Sequence, residues 1–211
     1  MGTSPNISGA ALDTLKRLQQ RRPAQERCEL CALALEERHA HLLEPRERRI
    51  VCSCSACAFL FQEPGRRYRR IPPDAYFLAG FTLEDLQWEA LAIPINLAFL
   101  FFSSVANRAV AYYPSPAGAM ESSLEIEGWG QIITRHPRLQ QMVTDVEALL
   151  VNRLATPHEY YIAPIDRCYE LAGIVRTRWS GFTGGDKVWN EIGRFFSMLR
   201  QQSIALESPR A

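Results

Sequence analysis

Two short motifs decide how the first third of this chain folds: Cys28-Glu29-Leu30-Cys31 and Cys54-Ser55-Ala56-Cys57. Each has two cysteines separated by two residues, and 22 residues lie between the motifs. Tetrahedral Zn²⁺ takes four soft ligands, and two such knuckles on paired hairpin turns supply them. We expect strands at 41–43 and 49–51 to bring the knuckles together. The spacing predicts a four-cysteine zinc site in a small zinc-ribbon-like module.

Three further side chains in this module are possible metal ligands: Cys52, His39 and His41. Alternation along a strand would place Cys52 and Cys54 on the same face, so that Cys52 could line the site or replace a ligand. Neutral imidazole is also a normal zinc ligand. The alternative is that Cys52 is a buried apolar residue and that both histidines lie outside the metal site.

Iron is the alternative metal, because four thiolates also bind a single redox-active iron, as in rubredoxin, or an iron–sulfur cluster. Rubredoxin-type knuckles usually carry glycine after the last cysteine. The corresponding residues here are Ala32 and Ala58. Zinc is therefore the preferred prediction.

The composition is that of an ordinary globular protein and excludes a mostly disordered chain. The 211 residues include 24 basic and 23 acidic side chains, a net charge of +1, and a hydrophobic fraction of 47%. Residues 1–70 hold 13 basic and 8 acidic groups, whereas the rest holds 11 and 15. The near-neutral total argues against a general nucleic-acid or membrane-surface binder.

The sequence predicts a cytoplasmic protein. Residues 1–22 contain no basic stretch followed by an apolar one, so we expect no secretory signal. The most apolar segment, 90–102, is shorter than the roughly 20 residues of a membrane span and contains Pro94 and Asn96. Disulfides seldom persist in the cytoplasm. Five of the six cysteines fall within 30 residues, which indicates metal binding.

The expected fold is α+β, with the metal module packed on a larger mixed body that has a central β-hairpin or sheet and C-terminal helices. The predicted divisions are a tail with a short helix (1–23), the module (24–63), a basic proline-flanked connector (64–73), the α+β body (74–203) and a disordered tail (204–211). In the body, hydrophobic patterns predict a hairpin (95–103 and 109–113), a loop (114–118), a strand (160–163), a glycine-rich loop (179–185) and helices at 82–91, 126–135, 143–154, 164–178 and 186–201.

The connector carries four arginines around Tyr68: Arg66, Arg67, Arg69 and Arg70. Clustered positive charge with an aromatic residue is typical of phosphate and base contacts. These arginines are candidates for contact with a partner or an anion. Because this is a single cluster beside an acidic body, we favour a solvated linker or a contact onto that body.

Catalysis has the weakest support. Asp166, Cys168 and Glu170 lie near a predicted helix start, where the pKa of a cysteine falls, but helical geometry sends them to diverging faces. The sequence lacks a phosphate-binding loop, a G-x-S-x-G elbow and an H-E-x-x-H motif. We expect Cys168 to be packed in the body.

The strings 28–31, 39–41 and 51–61 resemble a family of uncharacterised bacterial proteins. Members of this family are typically encoded beside nickel–iron uptake hydrogenases of the actinobacterial, oxygen-tolerant type. Further matches are Ile93-Pro94-Ile95, Tyr113 to Gly118, Pro164 to Leu171 and Trp179-Ser180-Gly181-Phe182, so that the resemblance spans about residues 26–200. The resemblance implies a dedicated hydrogenase accessory factor. It also implies that Asp166, Cys168, Glu170 and Trp179 form a possible second site.

The leading functional hypothesis is a non-enzymatic, zinc-binding accessory or interaction protein that assists hydrogenase assembly or maturation. Its partners would be hydrogenase subunits or maturation factors. The alternatives are a rubredoxin-like iron electron carrier for the hydrogenase and a nucleic-acid-binding zinc-ribbon regulator.

Overall fold

The computed structural model describes residues 25–61, 67–122 and 129–207. Within these ranges, ten strands form a three-stranded and a seven-stranded sheet, accompanied by six helices. The predicted α+β class is confirmed. The short helix predicted within residues 1–23 lies outside the described residues. No helix in the described ranges is long and apolar enough to cross a membrane.

The small sheet forms the cysteine-containing part of the protein. Strand β1 (Ala40–Glu44) pairs antiparallel with β2 (Arg49–Ser53) on one side and with β3 (Arg69–Arg70) on the other. The expected strands at 41–43 and 49–51 are thus confirmed. Helix α1 (Ser55–Leu60) follows β2 after a single residue. Leu42, Val51 and Ala58 are almost completely buried where the helix packs on the sheet.

The large sheet has the strand order β10-β4-β9-β8-β5-β6-β7. Its members are β4 (Tyr76–Ala79), β5 (Leu97–Ser103), β6 (Arg108–Ser115), β7 (Gly118–Glu121), β8 (Glu147–Asn152), β9 (Glu159–Pro164) and β10 (Ile204–Glu207). Neighbours are antiparallel except β4 and β10, which are parallel. The predicted hairpin is confirmed as β5–β6, and the strand predicted at 160–163 is confirmed as β9.

The prediction of a helix at 143–154 is wrong, because residues 147–152 form β8 at the centre of the large sheet. All six residues of β8 are buried. Ala148 and Leu150 pack on one face of the sheet, whereas Leu149 and Val151 pack on the other. A strand covered on both faces is apolar at nearly every position, and such a run also satisfies the spacing of a helix.

Helices cover both faces of the large sheet. The face that includes Ala148 and Leu150 packs against α5 (Ile165–Arg178) and α6 (Gly185–Gln202), which confirms the helices predicted at 164–178 and 186–201. The opposite face packs against α2 (Asp85–Glu89), α3 (Trp129–Thr134) and α4 (Pro137–Gln140).

The short helices differ from their predicted bounds. Helix α2 begins after Glu84 rather than Thr82, because Glu84 and Gln87 form a reciprocal capping box. Helix α3 covers only part of the helix predicted at 126–135, whose first three residues lie outside the described ranges.

Two other expectations are corrected at the ends of strands. The segment 114–118 is not all loop, since β6 continues to Ser115 and only 116–117 form the turn into β7. Strand β6 pairs with β5 only as far as Tyr112, so Pro114 lies where a proline is tolerated. The tail predicted at 204–211 is wrong for residues 204–207, which pair with the open edge of β4 as β10.

Candidate metal centre

The first knuckle is a tight turn closed by backbone hydrogen bonds. Cys28 N–H donates to the Leu33 carbonyl at 2.8 Å, and Ala32 N–H donates to the Cys28 carbonyl at 2.7 Å. Arg27 and Ala34 form an antiparallel bridge across the base. This knuckle is the hairpin turn that the sequence predicts.

Ala32 has a positive φ of 62°, a conformation that favours glycine. The alanine at this position therefore does not exclude the turn that glycine forms in iron-binding knuckles.

The second knuckle is a strand-to-helix junction rather than the expected hairpin turn. Cys54 directly follows β2 and is the N-cap of α1, and its Sγ accepts a hydrogen bond from Cys57 N–H at 3.4 Å. Ala58 N–H donates to the Cys54 carbonyl at 2.9 Å. Three residues make nearly one helical turn, so both sulfurs lie on the same side.

The structure brings the four predicted sulfurs together. All four Sγ atoms lie within 4.8 Å of one another, and those of Cys31 and Cys54 are 3.7 Å apart. Two sulfurs bound to one tetrahedral zinc at about 2.3 Å are about 3.8 Å apart. Cys28, Cys54 and Cys57 are buried, whereas Cys31 is exposed. The donor set and its spacing fit one tetrahedral metal ion.

The pKa values of the thiols differ within the cluster. Burial opposes ionisation of Cys28, but backbone hydrogen bonds at Cys54, Leu30 and Cys31 outweigh it and lower the pKa of Cys28 to about 6. Burial and the neighbouring sulfurs raise the pKa of Cys57 well above its ordinary value. Because metal binding requires deprotonated ligands, a bound ion would displace the protons that remain on the other sulfurs.

Cys52, His39 and His41 lie outside the four-sulfur cluster but close to one another. Their donor atoms form a separate group, also within 4.8 Å of each other. Cys52 is partly buried and packs against the buried cysteines of that cluster, while its Sγ belongs to the second group of donor atoms.

The connector arginines that the structure describes include two in ion pairs within the protein. Arg67 Nε contacts Glu44 Oε1 at 2.5 Å. Arg69 Nε contacts Asp145 Oδ2 at 2.9 Å, which joins the connector to the body. Arg70 is exposed on β3, and Arg66 lies outside the described ranges.

The residues of the possible second site are not brought together. Asp166 contacts His41, Cys168 is completely buried in the main core, and Glu170 pairs with Arg167 at the surface. Trp179 lies at the opposite end of α5, about 20 Å along the helix from Asp166, as expected for a rise of about 1.5 Å per residue. The expected packing of Cys168 in the body is confirmed. Burial raises the pKa of its thiol well above the ordinary value.

The sequence did not reveal the role of Glu29 or the partner of Asp166. Glu29 accepts a hydrogen bond from Cys52 N–H at 2.8 Å and contacts Arg49 at 3.0 Å, so it ties the first knuckle to β2. Its position inside the first C-x2-C motif was the available signal. Asp166 contacts His41 across 125 residues of sequence, a pairing that no local pattern predicts.

A family model matches residues 27–203, which is most of the chain, and its description is a family of unknown function, DUF5947. The chain belongs to this family. The match includes both knuckles, the small sheet and nearly all of the large one. No curated protein and no solved structure matches the chain.

Proposed function

We propose that the protein is a non-enzymatic, zinc-dependent accessory protein, in which Cys28, Cys31, Cys54 and Cys57 hold a structural Zn²⁺. The observation that carries this proposal is the four-sulfur cluster. Four protein ligands complete a tetrahedral shell and leave no position for substrate, which is typical of structural rather than catalytic zinc sites.

The small core around the knuckles supports a structural role for the metal. Apart from the cysteines, the buried side chains described there include Leu35, Leu42, Val51 and Ala58. So few apolar residues stabilise a fold weakly, and structural zinc commonly supplies much of the folding free energy in such cases. Removal of the metal should therefore unfold the module.

The surface around the knuckles supports a role in protein contact. Leu33 and Phe59 each lie two residues after the last cysteine of a knuckle, and they are 58% and 69% exposed. Leu60, next to Phe59, is 60% exposed. Phe59 and Leu60, adjacent in α1, form an exposed apolar pair of the kind found at protein interfaces. This surface would be set by the metal that fixes both knuckles.

We further propose that the partner is a nickel–iron hydrogenase subunit or maturation factor. This finer proposal is supported by the resemblance of the sequence motifs to proteins encoded beside such hydrogenases. The electron-carrier and nucleic-acid alternatives remain outcomes of the tests below.

The first test is elemental analysis with a visible spectrum, on full-length protein purified without a metal-affinity tag. We expect zinc, no colour, and loss of zinc in the variant Cys28→Ser/Cys57→Ser but not in Cys168→Ala, a cysteine outside the module. Stoichiometric iron with strong visible absorption would replace the proposal by electron transfer.

The second test is capture of co-expressed hydrogenase subunits on the tagged chain. We expect retention by the wild type and by Cys168→Ala, and loss in Cys28→Ser/Cys57→Ser and in Phe59→Ser/Leu60→Ser. Absence of retention, with normal hydrogenase activity in cells lacking the protein, would refute the hydrogenase role. Retention of nucleic acid that weakens with salt would favour the regulator instead.

A further inference from the structure

The group formed by His39, His41 and Cys52 is built on the β1–β2 pair. His41 and Cys52 are directly opposite each other in the register. Both backbone polar groups of Cys52 bond outward to Glu29, with Cys52 N–H donating to Oε1 at 2.8 Å and Glu29 N–H donating to the Cys52 carbonyl at 2.9 Å. The His41–Cys52 pair is therefore of the non-hydrogen-bonded kind, in which opposing side chains lie closest.

The tautomers of the two histidines follow from their partners. His39 Nδ1 lies 2.9 Å from the Glu36 carbonyl, and His41 Nδ1 lies 2.7 Å from Asp166 Oδ2. A carbonyl and a carboxylate only accept, so each Nδ1 carries the proton and each neutral ring has its lone pair on Nε2.

The two Nε2 atoms face each other at 3.2 Å. Two lone pairs at this distance repel unless a cation lies between them. Two nitrogens bound to one tetrahedral Zn²⁺ at about 2.0–2.1 Å are about 3.3 Å apart, so the observed separation is that of two ligands of one ion.

The hydrogen bond between His41 and Asp166 is of the kind that orients histidine ligands in metal sites. A histidine ligand usually donates its other ring N–H to a carboxylate, which fixes the tautomer and the ring orientation. Asp166 lies in the first turn of α5, and its Oδ1 accepts a hydrogen bond from Arg167 N–H at 2.8 Å. The side chain of His39 is 8% exposed and that of Asp166 is 19% exposed.

We propose that His39 Nε2, His41 Nε2 and Cys52 Sγ form a second metal site, distinct from the four-cysteine site and oriented by Asp166. Two imidazoles and one thiolate suit a borderline-soft divalent ion. Zn²⁺ is such an ion, and it is used below to test the site. The fourth position is open to water, to Glu26, whose Oε2 lies 3.7 Å from His39 Nε2, or to an exchangeable ligand. Such open coordination distinguishes this site from the closed cluster beside it.

The test is zinc stoichiometry and affinity on the full-length chain, with folding monitored by circular dichroism. We expect two zinc ions in the wild type and one in Cys52→Ser and in His39→Ala/His41→Ala. The control His158→Ala replaces an exposed histidine whose ring bonds only to the carbonyl of Ala155 among the described residues, and it should keep two.

Asp166→Asn tests the orienting role without removing a ligand. We expect it to weaken the second zinc about 10–100-fold in competition with a chelator and to leave the first unchanged. Glu170→Gln, an exposed carboxylate on the same helix, should change neither affinity.

Cobalt substitution gives an independent readout. Filling of the second site should add absorption bands that disappear in Cys52→Ser. If the wild type bound one zinc ion and both Cys52→Ser and the double histidine variant retained it, the second site would be refuted. A proton would then lie between the two histidines. The four-cysteine proposal would stay intact. If the wild type bound a single zinc ion and both variants bound none, the two groups of ligands would not be separate sites.

Discussion

The carboxylate of Asp145 holds the arginine connector to the body, and replacing it by asparagine should destabilise the protein measurably. The side chain is 3% exposed and accepts three hydrogen bonds. Two come from Ser104, from its N–H at 2.7 Å and its hydroxyl at 2.6 Å, and the third comes from Arg69 Nε at 2.9 Å. Asparagine also tolerates the positive φ of 69° at this position, so backbone strain does not confuse the comparison.

The expected loss is about 3 kcal/mol. A hydrogen bond to a charged group contributes about 1.5–3 kcal/mol and a neutral one about 1 kcal/mol. Asparagine keeps one acceptor oxygen, so that one bond to Ser104 is lost and the other is weakened. Arg69 is 39% exposed and regains water, so the ion pair adds little. For a chain of this size, the loss corresponds to a fall in Tm of about 6–12 °C.

The assay is urea and thermal unfolding of the metal-loaded protein. Arg69→Ala should cost about 1 kcal/mol in the wild type and almost nothing in the Asp145→Asn background, since the two side chains share one contact. Arg70→Ala, its exposed neighbour on β3, is the control. If Asp145→Asn lowered the free energy of unfolding by less than about 1 kcal/mol, the two bonds from Ser104 would not form as described. If Arg69→Ala and Asp145→Asn were additive, Asp145 would not hold the connector through Arg69.

Three further predictions concern backbone strain and thiol reactivity. Ala32→Gly should raise the free energy of unfolding by about 1 kcal/mol in denaturant titrations, because it relieves a left-handed residue; a loss would show that the turn differs from that described. Gly184→Ala should lower the free energy of unfolding by more than about 2 kcal/mol in the same assay, since φ is 88° and the added Cβ would lie 2.9 Å from Val188 Cγ1. No change would contradict the left-handed conformation of Gly184 before α6. In the metal-free chain, whose body keeps its fold, alkylation at pH 8 read by mass spectrometry should modify Cys31 in the module and spare Cys168. Burial and a raised pKa keep Cys168 a neutral thiol until the body unfolds, so early labelling of Cys168 would refute its burial.

The cysteine cluster could be predicted from the sequence because each pair of ligands comes from four consecutive residues. The separation within each knuckle indicates a turn, and the strands at 41–43 and 49–51 are needed to bring the two knuckles together. The prediction that the second knuckle is a hairpin turn was wrong, because the same four residues also begin a helix at Cys54. Both arrangements place two sulfurs on one side, so the spacing alone does not separate them.

The large sheet was harder to predict where burial is complete. For α6, one polar face remained exposed, and the period of Val188, Ile192 and Phe195 identified a helix. For β8, no face is exposed, so the sequence carries no period that distinguishes strand from helix. The pairing of 204–207 with β4 was missed for a different reason, because it is determined by where α6 ends in space rather than by the residues themselves.

The two metal groups depend on each other unequally. The position of Cys52 is set by two hydrogen bonds to Glu29, a residue held between the two cysteines of the first knuckle. Disorder of that knuckle would release Cys52 from its position opposite His41. The reverse dependence is weaker, because the sulfurs of the first cluster are held by the turn at Ala32 and by α1, neither of which uses the side chain of Cys52. Filling of the four-cysteine site should therefore precede filling of the site at His39, His41 and Cys52. Since His41 also contacts Asp166 in α5, zinc binding at the proposed second site should depend on the packing of the module against α5 as well.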